Sequence, residues 1–258
     1  MTTYALTDSA TMLRRNLRHA MRYPALSFGT AVLPIIFLLL FRYVFGGAIG
    51  AGIGGGGDYT DYLVPGIILM TVAAGTTSTA ISVSTDLTEG IVARFRTMPI
   101  ARVSLLTGHV LGSLLQTLAS TVVVLGVAFL IGFRTTADPL EWLAVTGVLV
   151  LLTFALTWLA VALALVSKNP EGASNIVLPL VILPFLGSGF VPTDSMSTGV
   201  RWFAEYQPFT PIINTLRGLL IGTSIGSDAF VAVAWCIVMA AVGFLWGRAL
   251  FNRDPSRR

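Results

Sequence analysis

The chain has 258 residues, of which 55% are hydrophobic and 11% charged, and its mean hydropathy is +0.83. A water-soluble domain carries roughly a quarter charged residues, so this composition excludes a protein wetted on all sides and points to an integral membrane protein. The net charge of +4 comes from fifteen Arg and one Lys against twelve acids, and the single cysteine, Cys236, excludes an intramolecular disulfide or a thiolate metal site.

In chain order, residues 8 to 22 place Leu13, Leu17 and Met21 on one helical face and Arg14, Arg18 and Arg22 beside them. That is the pattern of a basic amphipathic helix lying among anionic headgroups. Arginines spread along it, and no apolar core with a small-residue cleavage site follows, so the stretch is not read as a secretory signal and the N-terminus is expected to stay in the cytoplasm. A first span is expected at about 26 to 45, kinked at Pro34, with Arg42 snorkelling near its far end. The glycine-rich run 46 to 61 reads as a flexible outer loop. Its G-x-G-x-x-G, at Gly50, Gly52 and Gly55, follows no strand and precedes no ribose-binding acid, so it is linker rather than a nucleotide site.

The second span, about 62 to 84, carries Thr71, Gly75, Ser78, Ser82 and Thr85 at i, i+4, i+7, i+11 and i+14, a small and hydroxylated stripe. Such a stripe permits close helix packing. It can equally wall a polar pathway, with packing the simpler account for any single residue. Asp86 to Arg102 is then a charged segment between two apolar runs. Asp86 and Glu89 are spaced to cap a helix start and Pro99 stops it, while Leu87, Ile91, Phe95 and Met98 share a face that Arg94 and Arg96 avoid. A short amphipathic helix over 86 to 99 is predicted at the membrane surface.

The third span is expected at 103 to 133. His109 and Gln116, seven residues apart, share a face there with no acid beside them, which favours interhelical hydrogen bonds over a proton relay. A fourth span covers about 142 to 166, with Trp142 as an interfacial aromatic, and SKNPEGASN (167 to 175) is a second compact polar loop. The fifth, 173 to 191, is broken by Pro179, Pro184 and Gly187-Ser188-Gly189, and broken helices are tolerated at membrane depth only against protein or water. Residues 209 to 221 are apolar but too short to cross, and Trp202, Phe203, Tyr206 and Phe209 cluster as interface aromatics do, so 199 to 222 reads as re-entrant or interfacial. A last span runs from about 229 to 250.

The fold class is thus an all-α membrane protein in a single domain: six transmembrane helices, an N-terminal amphipathic interfacial helix, and re-entrant extracellular helices between spans five and six. Six spans put both termini on one side. Twelve of the sixteen Arg and Lys fall on that side, which places the termini and the loops 86 to 102 and 167 to 175 in the cytoplasm.

Several chemistries are missing. The only lysine, Lys168, lies in no P-loop, so ATP-driven work would need another chain. His19 and His109 have no ligand-spaced companions for a metal, G-x-S-x-G does not occur, and the acids lie in loops or at span ends rather than in an ion-coupling array. Nucleic acid is not an expected partner.

The first cytoplasmic loop DLTEGIVARFRTMPIAR followed by SLLTGHVLG, and the late GFVPTDSM and WFAEYQPFTPIINTLRGLL, together resemble the permease subunit of type-2 ABC exporters, in the daunorubicin/doxorubicin-resistance branch. The resemblance covers nearly the whole chain. It implies a coupling helix in which Asp86, Glu89, Gly90, Arg94, Phe95, Arg96, Met98 and Pro99 contact an ABC ATPase subunit, with Lys168 and Glu171 as a smaller second contact. It also implies a second permease copy or homologue, membrane lipids as surroundings, and ATP and Mg held by the partner, with no cofactor in this chain. The cargo path would run along the dimer interface, lined by the second and fifth helices (Thr71, Gly75, Ser78, Ser82, Asn175 and Pro179), and Trp202, Pro208, Phe209 and Pro211 would cap the exit. The implied function is export of hydrophobic drugs or antibiotics across a bacterial plasma membrane. Export of a lipid or lipid-linked glycan and a non-transporting scaffold are the alternatives.

Overall fold

The computed structural model describes residues 24–50, 59–89 and 102–251, and the regular structure among them is helical. In chain order the helices are α1 (Pro24–Leu40), continued by a π-helical turn (Phe41–Phe45) and α2 (Gly46–Gly50), then α3 (Tyr59–Thr88), α4 (Arg102–Leu130), α5 (Pro139–Val166) and α6 (Pro170–Ile182). A 3-10 turn (Leu183–Leu186) extends α6, and α7 (Thr198–Tyr206), α8 (Phe209–Ile221) and α9 (Asp228–Phe251) follow.

The helix ends are written locally. At α5 the Asp138 carboxylate accepts from Glu141 N at 2.7 Å and the Glu141 carboxylate accepts from Asp138 N at 2.8 Å, a reciprocal cap with Pro139 in the first turn. Asn169 caps α6 by accepting from Gly172 N at 2.7 Å, ahead of Pro170. Gly222 stops α8 in the left-handed region at φ +73°, which costs a glycine little. Inside the bundle, the hydroxyls of Thr71, Thr153, Thr157 and Thr215 each donate to the carbonyl four residues back, so these polar oxygens need no partner from outside their helix.

The bundle is built around α3, which packs against α1, α4, α5, α6 and α8, while α9 lies on α5 and α8. From Leu63 to Met70 every residue of α3 is buried, as expected of a helix apolar all round and enclosed by protein. Among the described residues, five stretches are long and apolar enough to cross a membrane: Gly29–Ile49, Tyr59–Thr88, Thr107–Leu130, Pro139–Val166 and Asp228–Phe251. α9 leaves Phe230, Val233, Ile237, Val238, Val242 and Leu245 exposed, the face a peripheral span turns to lipid.

Three sequence expectations change. Residues 46 to 50 are helical and prolong the first span rather than opening a loop. Asp86 does not cap a new helix: α3 continues through it to Thr88, and Glu89 N still donates to Thr85 O at 2.9 Å. Pro179 does not break the fifth run, because α6 passes through it, and the helix yields only at Leu183 and Pro184. A proline removes one hydrogen bond and bends a helix, but neighbouring helices can hold the bent segment together. The basic N-terminal helix, residues 51 to 58 and most of the 86 to 99 helix lie outside the described residues.

Candidate functional site

α3 carries a polar cluster at each end. At its Tyr59 end the turn after α6 is pressed onto it: a Cβ on Gly66 would stand 2.6 Å from Gly189 O, so only a glycine admits the turn this closely. Tyr62 donates its hydroxyl to Ser188 O at 2.8 Å, and Tyr59 donates to Phe190 O at 3.1 Å. Arg217, 8% exposed in α8, aims its guanidinium at the same carbonyl, with Nη2 2.6 Å from Ser188 O and Nη1 3.1 Å from Asn214 Oδ1. Its guanidinium carbon lies 3.8 Å from the centroid of the Tyr62 ring. Asn214 Oδ1 also accepts from Ser188 Oγ at 2.8 Å, and Asn214 Nδ2 donates to Asp228 Oδ2 at 2.9 Å, where α9 begins. Beside this cluster Phe37 of α1 meets Phe185 edge-on, with ring centroids 5.3 Å apart, and Phe185 stacks on Phe190 at 4.7 Å. The end is thereby closed by aromatic rings over a hydrogen-bonded turn.

The other end is organised by Asp86. His109 Nε2 donates to Asp86 Oδ2 at 3.0 Å, both side chains being nearly buried. Two residues earlier, Ser84 Oγ lies 3.3 Å from Ser167 Oγ in the cap of α5. Between the ends α3 and α4 run antiparallel with small polar pairs in register. Thr79 meets Ser113, Gly75 takes the Thr117 side chain, and farther along Thr30 of α1 bonds Ser120 of α4 at 2.8 Å. Hydroxyl pairs and glycine contacts of this kind bring helices close inside a membrane protein.

The predicted path residues divide. Thr71 is fully buried and its hydroxyl is spent on Ile67 O, and Gly75 is taken up by Thr117. Ser78 is half-buried and Ser82 exposed, and in α6 both Asn175 and Pro179 are exposed. Among the predicted cap residues Trp202 is 65% exposed, Pro208 half-buried, and Phe209 and Pro211 are buried. α7 carries Trp202, Phe203 and Tyr206 outward, and its Arg201 pairs with Asp194 and Glu205 at 2.7 Å each. The hydrogen bond to Glu205, followed by the charge of Asp194, raises the Arg201 pKa above its ordinary value. Glu89, Lys168 and Glu171 are exposed at the Asp86 end, and Gly90, Arg94, Phe95, Arg96, Met98 and Pro99 lie outside the described residues.

One sequence reading is corrected here: His109 does have an acid beside it, Asp86 from the preceding helix. Arg217, to which the sequence reading gave no role of its own, is a buried member of the Tyr62 cluster. Sequence reasoning also missed Ser113, Thr117 and Ser120, although with His109 they fall at i, i+4, i+8 and i+11 and so on one helical face.

Residues 8–221 match the ABC-2 type transporter family. The chain is similar to a daunorubicin resistance ABC transporter permease protein of Streptomyces coeruleorubidus, 30% identical over 224 residues covering 85% of this chain and 77% of the relative. It is also similar to a probable doxorubicin resistance ABC transporter permease protein of Mycobacterium tuberculosis, 28% identical over 223 residues, 84% of this chain and 80% of the relative.

Proposed function

The chain belongs to the ABC-2 type transporter family as one of its membrane permeases, and from that premise we propose that it exports hydrophobic compounds of the drug or antibiotic class, driven by ATP hydrolysed on a separate ABC ATPase subunit. The observation that carries the reading is the similarity to two drug-resistance permeases over more than four fifths of the chain, which takes in the whole segment between α3 and α4. ATP and Mg are the partner's, and this chain's part is to receive the partner's motion and move cargo.

The Asp86 end faces the cytoplasm, in accord with the excess of Arg and Lys on that side. There the segment 86 to 99, through Asp86, Glu89, Gly90, Arg94, Phe95, Arg96, Met98 and Pro99, docks on the ATPase, and Lys168 and Glu171 make the lesser contact. α6 with its 3-10 extension rises about 28 Å at 1.5 Å per α-helical and 2 Å per 3-10 residue, enough to serve as the remaining span of a six-span bundle in a plasma membrane. α7 and α8 form the re-entrant outer cap with Trp202, Pro208, Phe209 and Pro211. A second permease copy meets the exposed faces of Ser82, Asn175 and Pro179, and cargo moves between the copies.

The test is co-expression with an ABC ATPase subunit, followed by ATP-dependent daunorubicin uptake into inside-out vesicles. The wild-type chain is expected to retain the ATPase and drive uptake, and Arg94→Ala to insert normally but do neither. A wild-type chain that retains no ATPase sinks the exporter reading. Retention with transfer of labelled lipid but not of daunorubicin replaces drug export by lipid export.

A further inference from the structure

Ser84 and Asp86 are two residues apart, so on a helix their side chains diverge by about 200°. Each is buried, and each reaches a different neighbour. Asp86 accepts from His109 near the start of α4, while Ser84 meets Ser167, which closes α5. Ser167 Oγ already donates to Ala164 O at 2.8 Å, so Ser84 is the donor of the serine pair. The last turn of α3 is therefore hydrogen-bonded to α4, about two turns in from Arg102, and to the end of α5, where the short turn at Lys168 leads into α6.

We propose that this turn is a clamp: Asp86–His109 and Ser84–Ser167 make this end of α3, α4 and α5 one body, so that a push delivered on this side through the segment after α3 or the turn at Lys168 moves all three helices. The clamp rests on the permease reading above and adds to it the residues that pass on the motion. Asp86, His109, Ser84 and Ser167 are positioning residues that need not touch the partner or the cargo. The register supports it. Seven residues deeper Thr79 meets Ser113, and four more residues in Gly75 takes Thr117, so α3 and α4 are held together from the neck inward and cannot part at their tips without disturbing the whole seam. A buried carboxylate–imidazole pair suits the neck, since a hydrogen bond between desolvated groups is stronger there than in water.

The experiment uses the full chain with its ATPase subunit in phosphatidylglycerol/phosphatidylethanolamine vesicles, daunorubicin as the probe cargo, and permease-dependent ATP turnover and co-purified ATPase as readouts. Asp86→Asn and His109→Gln are each expected to lower the kcat of that turnover about fivefold, the size of coupling that packed networks carry, with the KM for ATP and the amount of co-purified ATPase unchanged. The double variant should be no worse than either single one, and the exchanged pair D86H/H109D should recover most of the loss. Ser84→Ala and Ser167→Ala remove only a hydroxyl, so they supply the answer where the neck variants do not fold, each with a loss of about twofold in kcat, the lower end of such coupling. The clamp is overturned if folded single variants keep the wild-type kcat, if the Asp86 and His109 losses multiply, or if the loss lies in the amount of ATPase retained. A wild-type chain that retains no ATPase overturns the permease reading itself, and the clamp with it.

Discussion

The Arg217 guanidinium stands over the Tyr62 ring, 3.8 Å from its centroid, and points Nη2 at the same Ser188 carbonyl that the Tyr62 hydroxyl reaches. One carbonyl of a short turn thus ties α3 to α8, and Asn214 carries the link on to Asp228 at the start of α9. Arg217→Ala removes the stacked cation and leaves the Ser188 and Asn214 acceptors short of a donor, for a loss of about 3 kcal/mol. Arg217→Lys recovers less than half, since an ammonium lacks the planar fork that spans two acceptors. Tyr62→Phe keeps the ring under the guanidinium and costs about 1 kcal/mol for the lost hydroxyl. Thermal unfolding of the purified permease checks the order, and equal losses for all three variants would mean that the carbonyl is held by something else.

Gly66 and Gly189 give a second, purely steric prediction. Gly66→Ala places a methyl 2.6 Å from Gly189 O, and because the obstacle is backbone rather than a flexible side-chain tip, the turn must move. We expect a loss of about 2 kcal/mol, seen as a lower unfolding temperature and a smaller folded yield. Gly126→Ala in α4 is the control, since a Cβ there meets nothing within 4 Å. If both substitutions behave alike, the close approach of the turn to α3 is not a feature of the folded protein.

Five of the six expected spans were legible in the sequence because long apolar runs have one reading in a chain so poor in charge, whereas the caps of α5 and α6 were not read, although Asp138-Pro139 and Asn169-Pro170 are local signals that could have found them. Partnerships between helices were not. Asp86 looked like a helix cap because its spacing to Glu89 fits one, and only the continuation of α3 to Thr88 brings it opposite His109, 23 residues away. The role of Arg217 was not legible for a similar reason. A lone arginine in a short apolar helix reads as an interfacial charge, and its true partners, Tyr62 and Ser188, are 155 and 29 residues away. The hydroxyl stripe of the second span was found as a periodicity, but its division into a part packed on α4 and a part left open depends on which neighbours surround α3.

Gln207 is buried at 5% exposure, and among the described residues neither its Oε1 nor its Nε2 has a hydrogen-bond partner. Burying an amide without partners costs more than burying an apolar group of the same size, so Gln207→Met should leave the permease as stable or raise its stability by about 1 kcal/mol. Its side chain lies against Gly187 beside Thr210, at the joint of α7 and α8, which makes thermal unfolding a direct readout. A loss beyond about 1 kcal/mol would show that the amide bonds a trapped water in the folded protein.

The division of the stripe can be read by thiol chemistry. In a Cys236→Ser background, Ser82→Cys lies on an exposed stretch of α3 and should react with a water-soluble maleimide, whereas Thr71→Cys is enclosed on all sides and should not. Ser78→Cys, half-buried one turn before Ser82, should react more slowly than Ser82→Cys. A cargo path along this face requires water to reach it in the membrane, which lipid contact alone does not provide, and saturating daunorubicin should slow labelling at both positions. Labelling at Ser82 that daunorubicin leaves unchanged would make the open half of the stripe a water-exposed surface with no part in transport. No labelling in the membrane, with rapid labelling in detergent, would assign it to lipid or to the packed face of a second copy.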